Sequence, residues 1–171
     1  MKVFGLTGWS GSGKTTLLVE LVPRFIARGL SVSTVKHTHH GFDLDQPGKD
    51  SWRHRQAGAV EVLISSGERW ALMHEVHGDE PDLTDLLARM APVDLVLVEG
   101  FKAHPHAKIA IHRPALGRMP IWPGREDIVA VATDADLPGC DRPVLPLNDP
   151  AAIADWVLVF LHRSEALDCA T

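Results

Sequence analysis

The sequence predicts a three-layer α/β domain organised around a mostly parallel central sheet. Three observations carry that expectation. Short apolar runs alternate along the chain with segments of helical period, the order expected of βαβ units. The run Val93 to Val98 is apolar apart from Asp94, as a strand buried on both faces requires. The first apolar run breaks directly into Gly8-Trp9-Ser10-Gly11-Ser12-Gly13, and a helical pattern begins at once beyond it.

The elements follow in order. Lys2 to Thr7 reads as the first strand. Leu17, Leu18, Leu21, Val22, Phe25 and Ile26 recur at helical spacing, with Pro23 expected to kink the last turns and Gly29 to close the helix. Leu30 to Val35 supplies a second strand, joined to the first by a right-handed crossover. Residues 36–58 are polar, contain Gly41, Pro47 and Gly48, and read as one long loop, a length that usually serves function. Val60 to Ser65 and Arg69 to Val76 form a hairpin about Ser66 and Gly67. Pro81 and Asp82 open a short helix bearing Leu83, Leu86, Leu87 and Met90. Further strands are expected at 108–112, 128–132 and 144–147, with 113–127 as an irregular, proline-rich loop. The last helix starts at Asn148 or Asp149 with Pro150 in its first turn, and buries Ile153, Trp156, Val157, Phe160 and Leu161.

Gly8 to Thr15 matches GxxxxGK[ST] at every fixed position, between a strand and a helix, which makes it a P-loop. The residue types explain the chemistry. Glycines let the chain wrap so that the N–H groups of Gly8, Ser10, Gly11, Ser12, Gly13, Lys14, Thr15 and Thr16 are available to phosphate oxygens, and the helix adds its positive end. Lys14 is expected on the β and γ phosphates and the Thr15 hydroxyl on Mg²⁺. The second acidic group such a site needs is assigned to Glu99, at the carboxyl end of the 93–98 strand, because open α/β sheets hold ligands at that edge. Asp94 lies at the opposite end. Asp45, in the long loop, is a candidate to complete the Mg²⁺ shell or position water, and with Lys14 and Glu99 it makes up the expected catalytic set. His37 ends the second strand at the same edge as Glu99. An Asn-Lys-x-Asp guanine motif is absent, and Asp134 and Asp136, after the 128–132 strand, are either the acceptors for guanine N–H groups or turn caps.

Composition bounds the rest. A chain of 171 residues, 45% hydrophobic and 23% charged, fits a single domain over 1–171 with its own core. A net charge of -5 lacks the basic excess of a nucleic-acid binder. Cys140 and Cys169 form neither a disulfide framework nor a CxxC pair. The N-terminus reaches glycine too early for a signal peptide, and Trp156 to Leu161 is too short to span a bilayer. A cytoplasmic protein is expected.

Several segments together resemble the molybdopterin-guanine dinucleotide biosynthesis adapter (MobB) family: TGWSGSGKTTLL at 7–18, VKHTHH at 35–40, DxDxPGKDS at 43–51, AGA at 57–59, RWALM at 69–73 and VEGFK at 98–102. The resemblance implies a homodimeric protein that binds GTP with Mg²⁺, hydrolyses it feebly, and assists the MobA-type nucleotidyltransferase that joins GMP to molybdopterin. It implies that Lys14 and Thr15 hold triphosphate and Mg²⁺ with Asp45 and Glu99 nearby, and that the 60–77 hairpin joins a partner subunit. His37 and the Gly48 to Ser51 turn would line the nucleotide or contact molybdopterin or its guanine dinucleotide. No water-orienting glutamine or built-in arginine finger is legible, which fits slow hydrolysis. Three rivals fit parts of the sequence: a metallochaperone-type GTPase using His37, His39 and His40 with His54, His104 and His106, a small-molecule kinase with its cleft under Arg53 and Arg55, and an adapter that binds nucleotide only to set its conformation.

Overall fold

A computed structural model describes residues 1–38 and 41–168; His39, His40 and Cys169 lie outside them. The chain divides into two units, Met1–His37 with Ala91 onward, and Thr38–Met90.

The first unit is the sheet. β1 (Lys2–Gly8), β2 (Val32–Lys36), β5 (Leu95–Glu99), β6 (Lys108–His112), β7 (Ile128–Thr133) and β8 (Val144–Pro146) lie in the order β2-β5-β1-β6-β7-β8. Every pairing is parallel, as expected for strands apolar on both faces. One face carries Phe4, Leu6, Leu95, Leu97, Ile109, Ile111, Ala130 and Ala132, packed with Leu17, Leu21 and Phe25 of α1 (Lys14–Ile26) and Ile153, Val157 and Leu161 of α4 (Pro150–Asp168). Each of the larger side chains contributes roughly 1.5–3 kcal/mol by leaving water. On the other face Ala110, Ile128 and Val131 are covered by Trp122 of the 113–127 loop.

Local chemistry sets the boundaries. α1 runs through Pro23 and ends with the Gly29 N–H on Ile26 carbonyl and the Leu30 N–H on Phe25 carbonyl, a Schellman arrangement. That arrangement uses Leu30, and the Ser31 N–H and hydroxyl both donate to Asp94 Oδ2, at 2.7 and 2.6 Å. β2 therefore starts at Val32 and not at Leu30. Asp149 caps α4 by accepting from the Ala151 and Ala152 N–H groups.

The second unit contains α2 (Asp50–Gln56), the antiparallel pair β3 (Glu61–Ser65) and β4 (Trp70–His74), and α3 (Leu83–Leu87). The 36–58 stretch is thus not a loop throughout. The expected Gly48–Ser51 turn is the start of α2, with Lys49 as its N-cap. α2 has no buried residue, so it leaves no apolar period in the sequence; Asp50 in its first turn and Arg53, His54 and Arg55 in its last suit the helix dipole. The hairpin is present, with its turn closed by the Ser66 N–H on Arg69 carbonyl and the Arg69 N–H on the Ser66 hydroxyl.

Candidate phosphate site

β1 is the point at which the chain's strand order reverses: α1 leads away towards β2, while β6 lies on β1's other side. The carboxyl edge at such a point is where open α/β sheets bind ligands. Residues 9–13 occupy that edge. Gly13 sits at φ 100 as the N-cap of α1, a left-handed conformation that lets the loop turn into the helix without a Cβ penalty. Thr7 Oγ1 and Ser12 Oγ are buried and have no hydrogen-bond partner among the described residues.

Three expected residues converge here. Leu6 of β1 stands in register with Glu99 of β5, and Lys36 of β2 stands in register with the same Glu99. The Thr15 hydroxyl lies 2.9 and 3.0 Å from the two Glu99 oxygens, and Glu99 is largely buried. Two neighbouring corners of a Mg²⁺ octahedron with 2.0–2.1 Å bonds are about 2.9 Å apart, so hydroxyl and carboxylate fit that cation. Lys14 Nζ donates to the Trp9 carbonyl at 3.0 Å, folded onto its own loop. Burial lowers the Lys14 pKa; Glu99 opposes the shift, and Lys102 and Lys36 add to it. Three lysines around one carboxylate leave a positive field, suited to a polyanion.

His37 follows β2, its N–H on Glu99 carbonyl at 2.8 Å and its ring 4.7 Å from Phe101. Phe101, at φ 44, has the only positive φ of a non-glycine among the described residues. Asp45 belongs to the Thr38–Met90 unit. Its carboxylate is 2.8 Å from Arg55, which also holds Asp43 at 2.7 Å and Glu75 at 3.4 Å. That guanidinium is therefore committed to three carboxylates, which counts against a kinase cleft beneath it. Among the described residues no three His, Cys, Asp or Glu side chains gather as a metal-holding group. His104 and His106 face each other, Nδ1 to Nδ1, at 2.9 Å. Asp94, passed over above in favour of Glu99, is tied to Ser31, whose hydroxyl and N–H lower its pKa.

Asp134 pairs with Arg113, whose Nε donates to the Ser12 carbonyl at 3.0 Å. Asp136 lies two residues further along the same turn. Sequence reasoning missed Arg113, although it directly follows the expected 108–112 strand at the ligand edge. The missing information was strand order, since only a β6 placed between β1 and β7 brings it to both P-loop and Asp134. Lys102 and Arg118 were missed too. Both stand over the Trp9 ring, at 5.6 and 5.7 Å from its centre, and Trp9 Nε1 donates to the Met119 carbonyl at 2.9 Å.

Comparison with known proteins identifies the family. The family described as "Molybdopterin guanine dinucleotide synthesis protein B" (MobB) matches residues 3–134. The chain is 45% identical over 164 residues to the molybdopterin-guanine dinucleotide biosynthesis adapter protein of Haemophilus influenzae, covering 94% of this chain and 90% of that one. It is 42% identical over 166 residues to the Escherichia coli protein of the same name, covering 94% of each. A crystal structure of a MobB protein homolog from Bacillus stearothermophilus superposes with a TM-score of 0.70 at 28% identity, over 95% of this chain and 99% of that one.

Proposed function

We propose a function from a fixed premise: this chain belongs to the MobB family, and it serves molybdopterin guanine dinucleotide biosynthesis as an adapter protein. The proposed working state is the complex with GTP and Mg²⁺. The observation that carries it is the Thr15 hydroxyl on the Glu99 carboxylate at 2.9 Å, with Lys14 folded onto the Trp9 carbonyl beside it. Their proximity supports this reading.

In this reading the N–H groups of Gly8 to Thr16 surround the phosphates, and Lys14 exchanges the Trp9 carbonyl for phosphate oxygens. Thr15 and Glu99 hold Mg²⁺, which supplies charge neutralisation across the β and γ phosphates. Asp45 is the further group for that cation or for water, with one oxygen on Arg55 and the other unengaged. Asp134 or Asp136 accepts from guanine. His37 lines the nucleotide side of the β5 exit, or meets molybdopterin or its guanine dinucleotide there. Turnover is slow, so the nucleotide sets the state in which the adapter engages a MobA-type nucleotidyltransferase.

The same family role calls for a homodimer in the cytoplasm. Leu63, Trp70 and Leu72 share one face of the hairpin by register and are 61%, 69% and 46% exposed. A lone two-stranded hairpin is marginal in water, and this apolar face is suited to a second copy. No helix among the described residues is long and apolar enough to cross a membrane.

Competition binding of GTP, GDP and ATP, each with and without Mg²⁺, tests the nucleotide reading. GTP is expected to bind more tightly than ATP and to need Mg²⁺ for full affinity. A preference for ATP, or no binding of either, overturns it.

A further inference from the structure

We propose that Arg113 is the residue that joins base recognition to the phosphate loop, supplying in one side chain a link that the missing Asn-Lys-x-Asp motif would otherwise provide. The inference rests on the nucleotide reading given above and deepens it to a specificity device.

Placement comes first. β6 lies between β1 and β7, and all three run parallel. Their carboxyl ends therefore present, side by side, the P-loop, Arg113 and the Thr133–Asp134 turn. Arg113 is extended, at φ -117 and ψ 107, and a proline follows it. Its side chain reaches both neighbours at once. Nε donates to the Ser12 carbonyl at 3.0 Å, and one terminal nitrogen bonds Asp134 Oδ2. A Cβ added at Gly13 would come within 3.6 Å of the guanidinium. Arg113 thus grips the P-loop at a backbone carbonyl.

The chemistry of the pair suits guanine. A carboxylate offers about four lone-pair sites, so Oδ2 can serve Arg113 while both oxygens still accept from a ligand. Guanine presents two adjacent donors, N1–H and the N2 amine, which match the two oxygens. Adenine presents an acceptor at N1, which a carboxylate repels. Arg113 fixes the plane of the Asp134 carboxylate, because guanidinium binds from a rigid fork. Both side chains remain partly exposed, at 34% and 25%, so a base can reach the carboxylate. Lysine cannot replace this residue, since one ammonium does not span the Ser12 carbonyl and Asp134 with a planar fork. Arg113 is in this sense a positioning residue: it touches loop and acceptor, and acts on the base through Asp134.

The test measures Mg²⁺-dependent affinities of GTP, ATP and xanthosine triphosphate for the full chain and for Arg113→Lys, Arg113→Ala and Asp134→Asn. GTP affinity is expected to fall roughly tenfold to a hundredfold in both Arg113 variants, the worth of one or two hydrogen bonds to a charged group. ATP affinity is expected to stay within about threefold, which also shows that the P-loop is folded. Asp134→Asn is expected to prefer the xanthine nucleotide, whose C2 oxygen accepts from the new amide, and adding Arg113→Lys is expected to erase that preference. If the wild type does not prefer GTP, the nucleotide reading fails before this inference is reached. If the wild type prefers GTP and both Arg113 variants keep the full preference, the inference is wrong and the reading stands. Loss of all three nucleotides in Arg113→Lys would assign the residue to the P-loop alone and would also overturn it.

Discussion

The phosphate corner and the Thr38–Met90 unit are unfinished in opposite ways. Around Glu99 three lysines and a hydroxyl gather about one carboxylate, and Lys14 borrows a carbonyl from its own loop. The excess there is positive charge, which points to an anion. In the Thr38–Met90 unit the one guanidinium of Arg55 is shared by Asp43, Asp45 and Glu75, so none of its positive charge is left over. The excess there is apolar: Leu63, Trp70 and Leu72 face outward together while Val62, on the opposite face of β3, is buried. What each region exposes is what its occupant must supply. The corner is built for a small, charged ligand, and the hairpin for a surface.

The largest effect that separates the two is expected from Lys14→Ala. Removing the ammonium should weaken GTP binding by about a hundredfold or more, because a charge-assisted contact to phosphate is lost from a partly buried site. Thermal stability should change little, since the only hydrogen bond lost is one to the Trp9 carbonyl. Isothermal titration and a melting curve measure both. Intact GTP affinity in this variant would show that the corner's positive field is not built for phosphate, and the comparison would collapse.

How much of this was legible depends on how local the cause is. The P-loop is a contiguous run whose chemistry is carried by backbone N–H groups and two side chains, so Gly8 to Thr15 could be read directly. The choice of Glu99 over Asp94 needed only the direction of one strand, and the structure places Glu99 on Thr15 and Asp94 on Ser31. α2 escaped because a helix with every residue at least partly exposed has no apolar period to detect. Arg113 escaped because its partners, Ser12 and Asp134, lie 101 and 21 residues away and are joined only by strand order. Buried Lys108 gave no signal either. It reads as one polar residue in an apolar strand, yet its ammonium bonds the His104 and His106 carbonyls and Asp127, and so ties down the helix-free crossover from β5 to β6.

An intermediate effect is expected at the hairpin. Leu63 and Leu72 are cross-strand partners on the exposed face. Leu63→Asp with Leu72→Asp should weaken self-association by roughly tenfold or more for each apolar side chain withdrawn from an interface. The monomer should keep its GTP affinity. Sedimentation equilibrium reads the first quantity and nucleotide titration the second. A wild type that is monomeric at high micromolar concentration removes the second copy as occupant, and the apolar face then belongs to another partner. GTP affinity lost together with the dimer would break the comparison differently, by making one region's occupant depend on the other's.

The smallest effect is a pH dependence on the far side of the sheet from α1 and α4, and it separates binding charge from structural charge. His106 lies against β1 at Gly5, where an added Cβ would stand 2.4 Å from its Nε2. Burial, with Lys108 and His104 as like charges and Asp127 as a weaker opposing one, pushes its pKa down to about 3. The unfolded chain protonates this ring near 6.5. Between those values the unfolded state binds a proton that the folded state refuses, so stability from this residue is full above about 6.5 and declines as the pH falls towards 3. Asp127 acts lower. Burial would raise it, but Arg125 and Lys108 outweigh that and hold it at about 2, so its contribution is present above about 3.9 and is lost as the pH falls from there towards 2. Urea midpoints measured from pH 7 to pH 4 should therefore fall for the wild type and fall less steeply for His106→Gln, and the two proteins converge in slope only below about pH 3, where the Asp127 contribution remains. Because the ring is partly exposed, the difference should be a fraction of a full proton's worth per pH unit. Parallel midpoint curves down to pH 4 would mean that His106 titrates as it does in the unfolded chain.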